Sequence, residues 1–343
     1  MTEPKAVEWE VRKFYWSLYR RGEKNCRKEE ILEKIGEVKR ISDDEKFNLE
    51  EKITLESESK TLKDTRNDVA PGAGGFSGSF YKVFWCLIKN IVVGTIHEIF
   101  DNKELPISIR LGIIALIPKG DKDKKFISNW HPLTLLETLY KILSSTLAAR
   151  LKPVLDNLLG HEQKAYVPGR FIAECTQNTY DIFDHAKNNN LPGMVLLVDF
   201  EKAFDSVSFE FILTSLDIFG FGENFKIWIT ILLGMEEGKN FNAVTVTNGN
   251  ISTPFPIQRE SRQGDPISGY LFILVIEILA LLLKRSSIRP YTTTHGISHL
   301  FDIYADDLTI YMNRHKTNEK KNQENVSKTL EVIELFFDWS GLK

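Results

Sequence analysis

Two adjacent carboxylates stand between two short apolar runs late in the sequence. Asp306 and Asp307 follow the apolar pair at 300–301 and precede the run 308–312. Runs this short are typical of strands, so the two aspartates are predicted to lie at the tip of a hairpin. Adjacent carboxylates repel each other and disfavour strands, which suggests that a bound cation holds them. The alternative is an ordinary solvated Asp-Asp turn, the commoner meaning of this dipeptide.

A third carboxylate, that of Asp199, ends the continuous apolar run 194–198. A continuous run of this kind predicts a strand that is buried on both faces. If this strand neighbours the hairpin, the carboxylates of Asp199, Asp306 and Asp307 converge. Carboxylate oxygens without a nearby His or Cys suit Mg²⁺ rather than zinc. Two Mg²⁺ ions held in this way activate an attacking hydroxyl and stabilise a leaving pyrophosphate, as in polymerases and nucleases.

The elements that must position these aspartates predict an α+β fold, an antiparallel sheet with helices packed on it. Charged, helix-forming residues dominate 1–68, and a glycine-rich loop at 70–75 marks the boundary after them. Helices are predicted at 77–99, 136–155, 174–186, 208–218, 224–235, 266–283 and 322–339. Strands are predicted at 112–117, 194–199, 241–248 and 253–258, with a hairpin turn at Asn248-Gly249.

The composition is globular: 343 residues, of which 42% are apolar and 27% charged. The net charge is −3, so any nucleic acid must be held by local basic patches. Three widely separated cysteines fit a reducing compartment and no structural zinc site. The N-terminus lacks the apolar core of a signal peptide, and the most apolar run, 270–283, is too short to span a membrane. We therefore expect a soluble intracellular protein, in the cytoplasm or the nucleus.

A series of short boxes in this sequence resembles the reverse transcriptase of non-LTR (LINE-type) retrotransposons, the product of their second open reading frame. The palm motifs of that family resemble DFEKAFDSV at 199–207, the segment 220–229, RQGDPIS at 262–268, YADD at 304–307 and the segment 336–343. Its fingers motifs resemble residues 71–81, 116–119, 129–142 and 163–170. Each box is short, and their number, order and spacing together carry the resemblance.

The resemblance implies a right-hand polymerase with fingers and palm, in which the thumb is missing. It divides the chain into an N-terminal helical extension at 1–68, a fingers-like region at 69–190 and a palm at 191–343. The implied reaction is RNA-directed DNA polymerisation, in which a primer 3′-hydroxyl attacks the α-phosphate of a dNTP with two Mg²⁺ ions bound; Mn²⁺ is the alternative ion. The implied partners are an RNA template, a DNA primer or target and dNTPs, with no membrane and no assigned oligomeric state.

The resemblance also assigns roles to individual residues. Asp199, Asp306 and Asp307 would bind the metal ions and carry catalysis, with Asp307 the more peripheral ligand. Phe204, five residues after Asp199, resembles the ring that excludes a ribose 2′-hydroxyl. The alternative for this ring is plain core packing, the commonest place for a phenylalanine.

Four further residues are assigned to substrate binding. Gln263 and Gly264 resemble the pair that lines the incoming nucleotide and the template base. Lys119 lies where the fingers meet template or triphosphate, and a solvated basic loop is its alternative. His131 stands where the family usually has an arginine that holds triphosphate, and histidine is neutral for much of the time near pH 7.

Other positions also depart from the family pattern. Gly74 stands where the fingers loop usually has aspartate, Gly269 where proline is common, and 260–261 where a glycine and a small apolar residue are usual. Together with His131 they motivate a second hypothesis, a degenerate, truncated retroelement fragment that is not catalytic and at most binds RNA. A polymerase of the group II intron maturase or telomerase type is a third.

Overall fold

The computed structural model describes residues 4–20, 27–67, 69–235, 240–259 and 264–342. Within these ranges the chain is α+β, as the sequence predicts. The helices are α1 (Pro4–Leu18), α2 (Lys28–Ile35), α3 (Asp43–Glu50), α4 (Leu55–Asp64), α5 (Gly78–Asn102), α6 (Thr138–Leu151), α7 (Leu155–Leu158), α8 (Ile172–Asn188), α9 (Ala203–Ser206), α10 (Phe209–Phe219), α11 (Glu223–Leu233), α12 (Ser268–Arg285) and α13 (Glu319–Ser340). The strands are β1 (Leu111–Pro118), β2 (Trp130–Leu135), β3 (Gly193–Asp199), β4 (Asn242–Thr247), β5 (Asn250–Ile251), β6 (Phe255–Pro256), β7 (Tyr291–Thr292), β8 (Ser298–His299), β9 (Phe301–Tyr304) and β10 (Asp307–Asn313).

The strands form three sheets in the described part of the chain. A small sheet has the order β3-β10-β9 and is antiparallel throughout, as expected. A larger sheet has the order β2-β1-β4-β5, with β6 also paired to β4. This sheet is mixed, because β1 and β4 run parallel; the long segment between them contains helices and the strands β2 and β3. Strands β7 and β8 form a separate hairpin.

The apolar helix α12 lies at the centre of the core. The helix carries apolar residues on all of its faces, so it is stable only where other parts of the protein cover every face. It contacts α10, α13 and α2, which provide that cover. The prediction of a buried helix at 266–283 is therefore confirmed, with a start two residues later than expected. Asp265 still anchors this start, since its carboxylate accepts hydrogen bonds from Tyr140 and Ser144.

One prediction about a strand is wrong, and one strand was not predicted. The strand at 194–199 was expected to be buried on both faces, but in β3 the side chains of Val195 and Leu197 are 37% and 75% exposed. The reason is that β3 forms an edge of its sheet and turns only every second side chain toward the core. Strand β2 was not predicted, because Pro132 interrupts it; the residue is tolerated where β2 forms an edge of the larger sheet.

Helix α5 presents an apolar face to solvent. Val83, Leu87 and Ile91 are 74%, 77% and 70% exposed, whereas other faces of the helix contact α4 and α11. Among the described residues α5 is the one helix whose length and composition would allow it to cross a membrane. Length and composition alone are weak evidence, since core helices and signal sequences meet the same criterion. The expected absence of a membrane segment therefore stays a prediction.

Candidate active site

The turn between β9 and β10 carries the aspartate pair. Tyr304 and Asp307 face each other across the ladder, so Ala305 and Asp306 form a two-residue turn. Ala305 has a φ of 55°, the left-handed conformation that such a tight hairpin turn requires. Across the next ladder, Asp307 is the direct partner of Asp199, the last residue of β3. The sheet thus brings the backbone of all three aspartates to one end of the strands β3 and β10.

Burial and like charge act on Asp306 in this cluster. Burial raises the pKa of Asp306, and the negative charges of Asp307 and Asp199 raise it further. Asp199 and Asp307 are exposed, so they lose less hydration. As the side chains stand, no group of three His, Cys, Asp or Glu residues in the described ranges is arranged to hold a metal ion. The donor set nevertheless fits a hard divalent cation, because it offers only oxygen atoms whose mutual repulsion a cation would relieve.

The segment after β3 places a lysine beside a buried carboxylate. Lys202 has a φ of 49° and its carbonyl accepts a hydrogen bond of 2.9 Å from the backbone N–H of Asp205. Burial raises the pKa of Asp205 to about 7, although the charges of Lys202 and Lys119 oppose this shift. The Lys202 ammonium lies 3.9 Å from the ring centroid of Phe14 on α1. Lys202 was not predicted as a site residue, although its place in the box 199–207 was a signal.

Lys119 and His131 lie at one end of the β1-β2 ladder. The backbone N–H of Lys119 donates to the carbonyl of Asn129, and His131 pairs with Ile117. Burial and the charges of Lys119 and Lys122 lower the pKa of His131, which favours the neutral ring at pH 7. The charge of Lys119 also acts on Lys202 and Asp205. The larger sheet therefore presents positive charge toward the segment that follows Asp199.

Phe204 and Gly264 occupy packed positions near this segment. The half-buried ring of Phe204 stacks on Phe272 of α12, with centroids 4.3 Å apart and planes 28° apart. Gly264 has a φ of 104°, and a Cβ there would come within 2.9 Å of the Thr134 carbonyl oxygen, so a side chain is excluded. Gln263 lies outside the described residues.

Sequence reasoning missed one aromatic residue of the site, Tyr166. Burial raises the pKa of Tyr166, and the charge of Asp306 raises it further. Its ring also lies edge-on to Phe204, with centroids 6.4 Å apart. The sequence signal was the missing side chain at Gly269, where an added Cβ would lie 2.6 Å from the ring of Tyr166.

A comparison with protein families explains this combination of elements. A family model described as reverse transcriptase (RNA-dependent DNA polymerase) matches residues 117–343. The chain belongs to the reverse transcriptase family. The match includes β3, the β9-β10 turn and every predicted site residue.

The relatives that this chain matches are proteins of mobile elements. It is 29% identical over 311 residues to the Transposon TX1 uncharacterized 149 kDa protein of Xenopus laevis, covering 90% of this chain and 23% of that protein. It is 29% identical over 231 residues to the Pol polyprotein from type-1 retrotransposable element R2 of Popillia japonica, covering 66% of this chain and 30% of that protein. The chain thus spans less than a third of each relative. The expected membership among non-LTR retrotransposon reverse transcriptases is confirmed.

Proposed function

We propose that this chain carries out RNA-directed DNA polymerisation in retrotransposition. A primer 3′-hydroxyl would attack the α-phosphate of a dNTP, and pyrophosphate would leave as the new phosphodiester forms. The observation that carries the proposal is the register in which Asp307 directly opposes Asp199, with Asp306 in the adjoining turn. This arrangement offers the oxygen donors that divalent ions in such a reaction require.

Asp199, Asp306 and Asp307 would hold the divalent ions. Bound there, two Mg²⁺ or Mn²⁺ ions would supply activation of the primer hydroxyl and neutralisation of the developing phosphate charge. The exposed side chains of Asp199 and Asp307 are free to rotate toward Asp306. Burial and the like charges of Asp307 and Asp199 raise the pKa of half-buried Asp306, and a bound cation would oppose this shift.

The basic residues around Lys119 would hold the triphosphate. Lys119 and Lys202 lie close enough for their charges to interact, and both lie beside the segment after Asp199. His131 would donate one hydrogen bond as a neutral ring. Phe204 would exclude the ribose 2′-hydroxyl, and Gly264 would let the nucleotide approach the backbone, while Gln263 remains a proposal from the family resemblance.

The fingers and palm assignments remain part of this proposal. The sheet β3-β10-β9 with α12 and α13 fits a palm at 191–343, and the β1-β2 hairpin fits fingers at 69–190. Strand β4 pairs with β1 across this boundary, so the two regions share one sheet. The N-terminal helices at 1–68 would form an extension packed on both. RNA template, DNA primer or target and dNTPs would be the partners, inside the cell.

Primer extension on an RNA template tests the proposal. We expect Asp306→Asn to lower dNTP incorporation by about a hundredfold or more, as expected for a loss of about 3 kcal/mol of transition-state stabilisation. Asp184→Asn, at an exposed position on α8, serves as the matched control and should retain activity. Equal incorporation by the wild-type and Asp306→Asn chains would refute the assignment. RNA binding by the wild-type chain without incorporation would favour the degenerate-fragment hypothesis, which His131 motivates.

A further inference from the structure

The segment 162–166 is attached to the catalytic hairpin through its backbone. The N–H of Lys164 donates to the carbonyl of Ile303, and the N–H of Ile303 donates to the carbonyl of Glu162, each at 2.9 Å. The Gln163 side-chain oxygen accepts from the N–H of Ala305 at 3.2 Å, within the turn that carries Asp306. These bonds fix the segment against β9. Tyr166, at its end, is therefore held beside the aspartate cluster.

Tyr166 adopts a conformation that its surroundings must stabilise. Its φ is 58°, in the left-handed region that residues other than glycine rarely adopt. Its ring lies over Gly269 at the start of α12, where an added Cβ would come within 2.6 Å of a ring carbon. Any side chain at position 269 would therefore displace the ring. The glycine found where the family commonly has proline is the residue that admits this ring.

The ring of Tyr166 completes the surroundings of Phe204. Phe204 stacks on Phe272 on one side. Tyr166 meets Phe204 edge-on, with an interplanar angle of 72°, and it meets Tyr270 in the same way at 6.2 Å. Edge-to-face geometry is favourable for aromatic pairs and restricts the rotation of each ring. Tyr166 is 48% exposed and Phe204 is half-buried, so this pair of rings is open to solvent.

We propose that Tyr166 is a positioning residue for nucleotide selection: its ring, admitted by Gly269, holds Phe204 in the orientation that excludes a ribose. The inference rests on the proposed function, because it assumes that Phe204 meets the sugar of the incoming nucleotide. Without Tyr166, Phe204 would keep its stack on Phe272 and gain freedom on the open side. Ribonucleotides would then bind better relative to deoxyribonucleotides, while the aspartates would remain in place.

The test measures the ratio of the dissociation constants of ATP and dATP for the chain bound to an RNA template with a dideoxy-terminated primer. Both constants come from one preparation, so a misfolded fraction does not change their ratio. We expect Tyr166→Ala to lower the ratio by about threefold to tenfold, the value of one edge-to-face pair. Tyr166→Phe keeps the ring and should keep the wild-type ratio.

Gly269→Ala provides an independent arm, because it displaces the ring without altering Tyr166 itself. This variant should lower the ratio, and the double variant with Tyr166→Ala should show no loss beyond that of Tyr166→Ala alone. A wild-type ratio in Tyr166→Ala, or equal binding of ATP and dATP by the wild-type chain, would overturn the inference. Sugar-selective binding that depends on Tyr166, without incorporation from an extendable primer, would support it and refute the proposed polymerase function.

Discussion

Glu277 gives the sharpest prediction about stability. This carboxylate lies on α12, which is otherwise apolar, and is 3% exposed. Its Oε1 accepts a hydrogen bond of 3.1 Å from the N–H of Gly160, and its Oε2 has no hydrogen-bond partner among the described residues. Burial raises the pKa of Glu277 to about 7, although the charge of Lys284 opposes the shift. The folded chain therefore holds this proton over a pH range in which the unfolded chain has released it.

The sign and size of the effect follow from this difference. Because the folded pKa lies above the usual 4.5, the stability that Glu277 contributes is present below about pH 4.5 and is lost as the pH rises through about 7. At 1.36 kcal/mol per pKa unit, the full shift corresponds to about 3 kcal/mol, of which about 2 kcal/mol falls between about pH 5 and pH 8. Glu277→Gln keeps the shape of the side chain and cannot ionise. We therefore expect this variant to be about 3 kcal/mol more stable than wild type near pH 8 and only about 1 kcal/mol more stable near pH 5.

Urea unfolding of both chains at these two pH values measures the difference. The buried carboxylates of Glu58 and Asp205, whose pKa values burial also raises to about 7, are present in both chains and cancel in the comparison. Glu334→Gln, at an exposed position on α13, is the matched control and should follow wild type at both values. A constant difference between Glu277→Gln and wild type across this pH range would refute the reasoning, since it would show that Glu277 ionises alike in both states.

Two further predictions concern contacts of the site. Gly74→Asp should destabilise the fold by about 1 kcal/mol, because a Cβ there would lie 3.1 Å from the Glu137 carboxylate. In urea unfolding, adding Glu137→Gln should restore most of the lost stability. If the double variant stays as unstable as Gly74→Asp, charge repulsion is excluded as the cause. Phe14→Leu should raise the KM for dNTP in primer extension about twofold to fivefold, because Lys202 loses the ring beneath its ammonium. The exposed Phe47→Leu is its control, and an unchanged KM in Phe14→Leu would count against Lys202 as a triphosphate ligand.

The sequence predicted the elements whose patterns are local. The turn at Asn248-Gly249 has both residues at positive φ, as this dipeptide favours, and α12 was visible as a long apolar run. The exposure of Leu197 was not visible, because a continuous apolar run does not reveal whether protein covers both faces of a strand. The pairing of β1 with β4 joins residues far apart in sequence, and no local pattern encodes it.

The candidate site likewise contains residues that the sequence identified and one residue that it did not. The acidic residues could be named from sequence, because their types and order are typical of one chemistry. Tyr166 could not be named from sequence, because its role depends on three contacts between residues far apart in the chain. The segment 162–166 pairs with β9, and the ring of Tyr166 packs over Gly269 and against the ring of Phe204. A sequence shows which side chain is absent at position 269 but not which ring occupies the space.

Neighbouring residues compensate for two departures that first pointed to a degenerate copy. Gly74 lies against Glu137, whose carboxylate accepts its N–H and occupies the space that a second acid would need. Position 269 likewise has no side chain, and the ring of Tyr166 lies where one would be. At both positions a neighbouring group of the chain lies in the space that a side chain would take.

His131 is a further departure, and the charge balance around it is informative, whereas positions 260–261 lie outside the described residues. The positive charges of Lys119 and Lys122 lower the pKa of His131, so the ring stays neutral where an arginine would have to share that field with two lysines. Lys119 and Lys202 already supply positive charge beside Asp199. A neutral hydrogen-bond donor at position 131 is thus compatible with triphosphate binding. Primer extension by the wild-type chain therefore separates a retained catalytic site from a degenerate one.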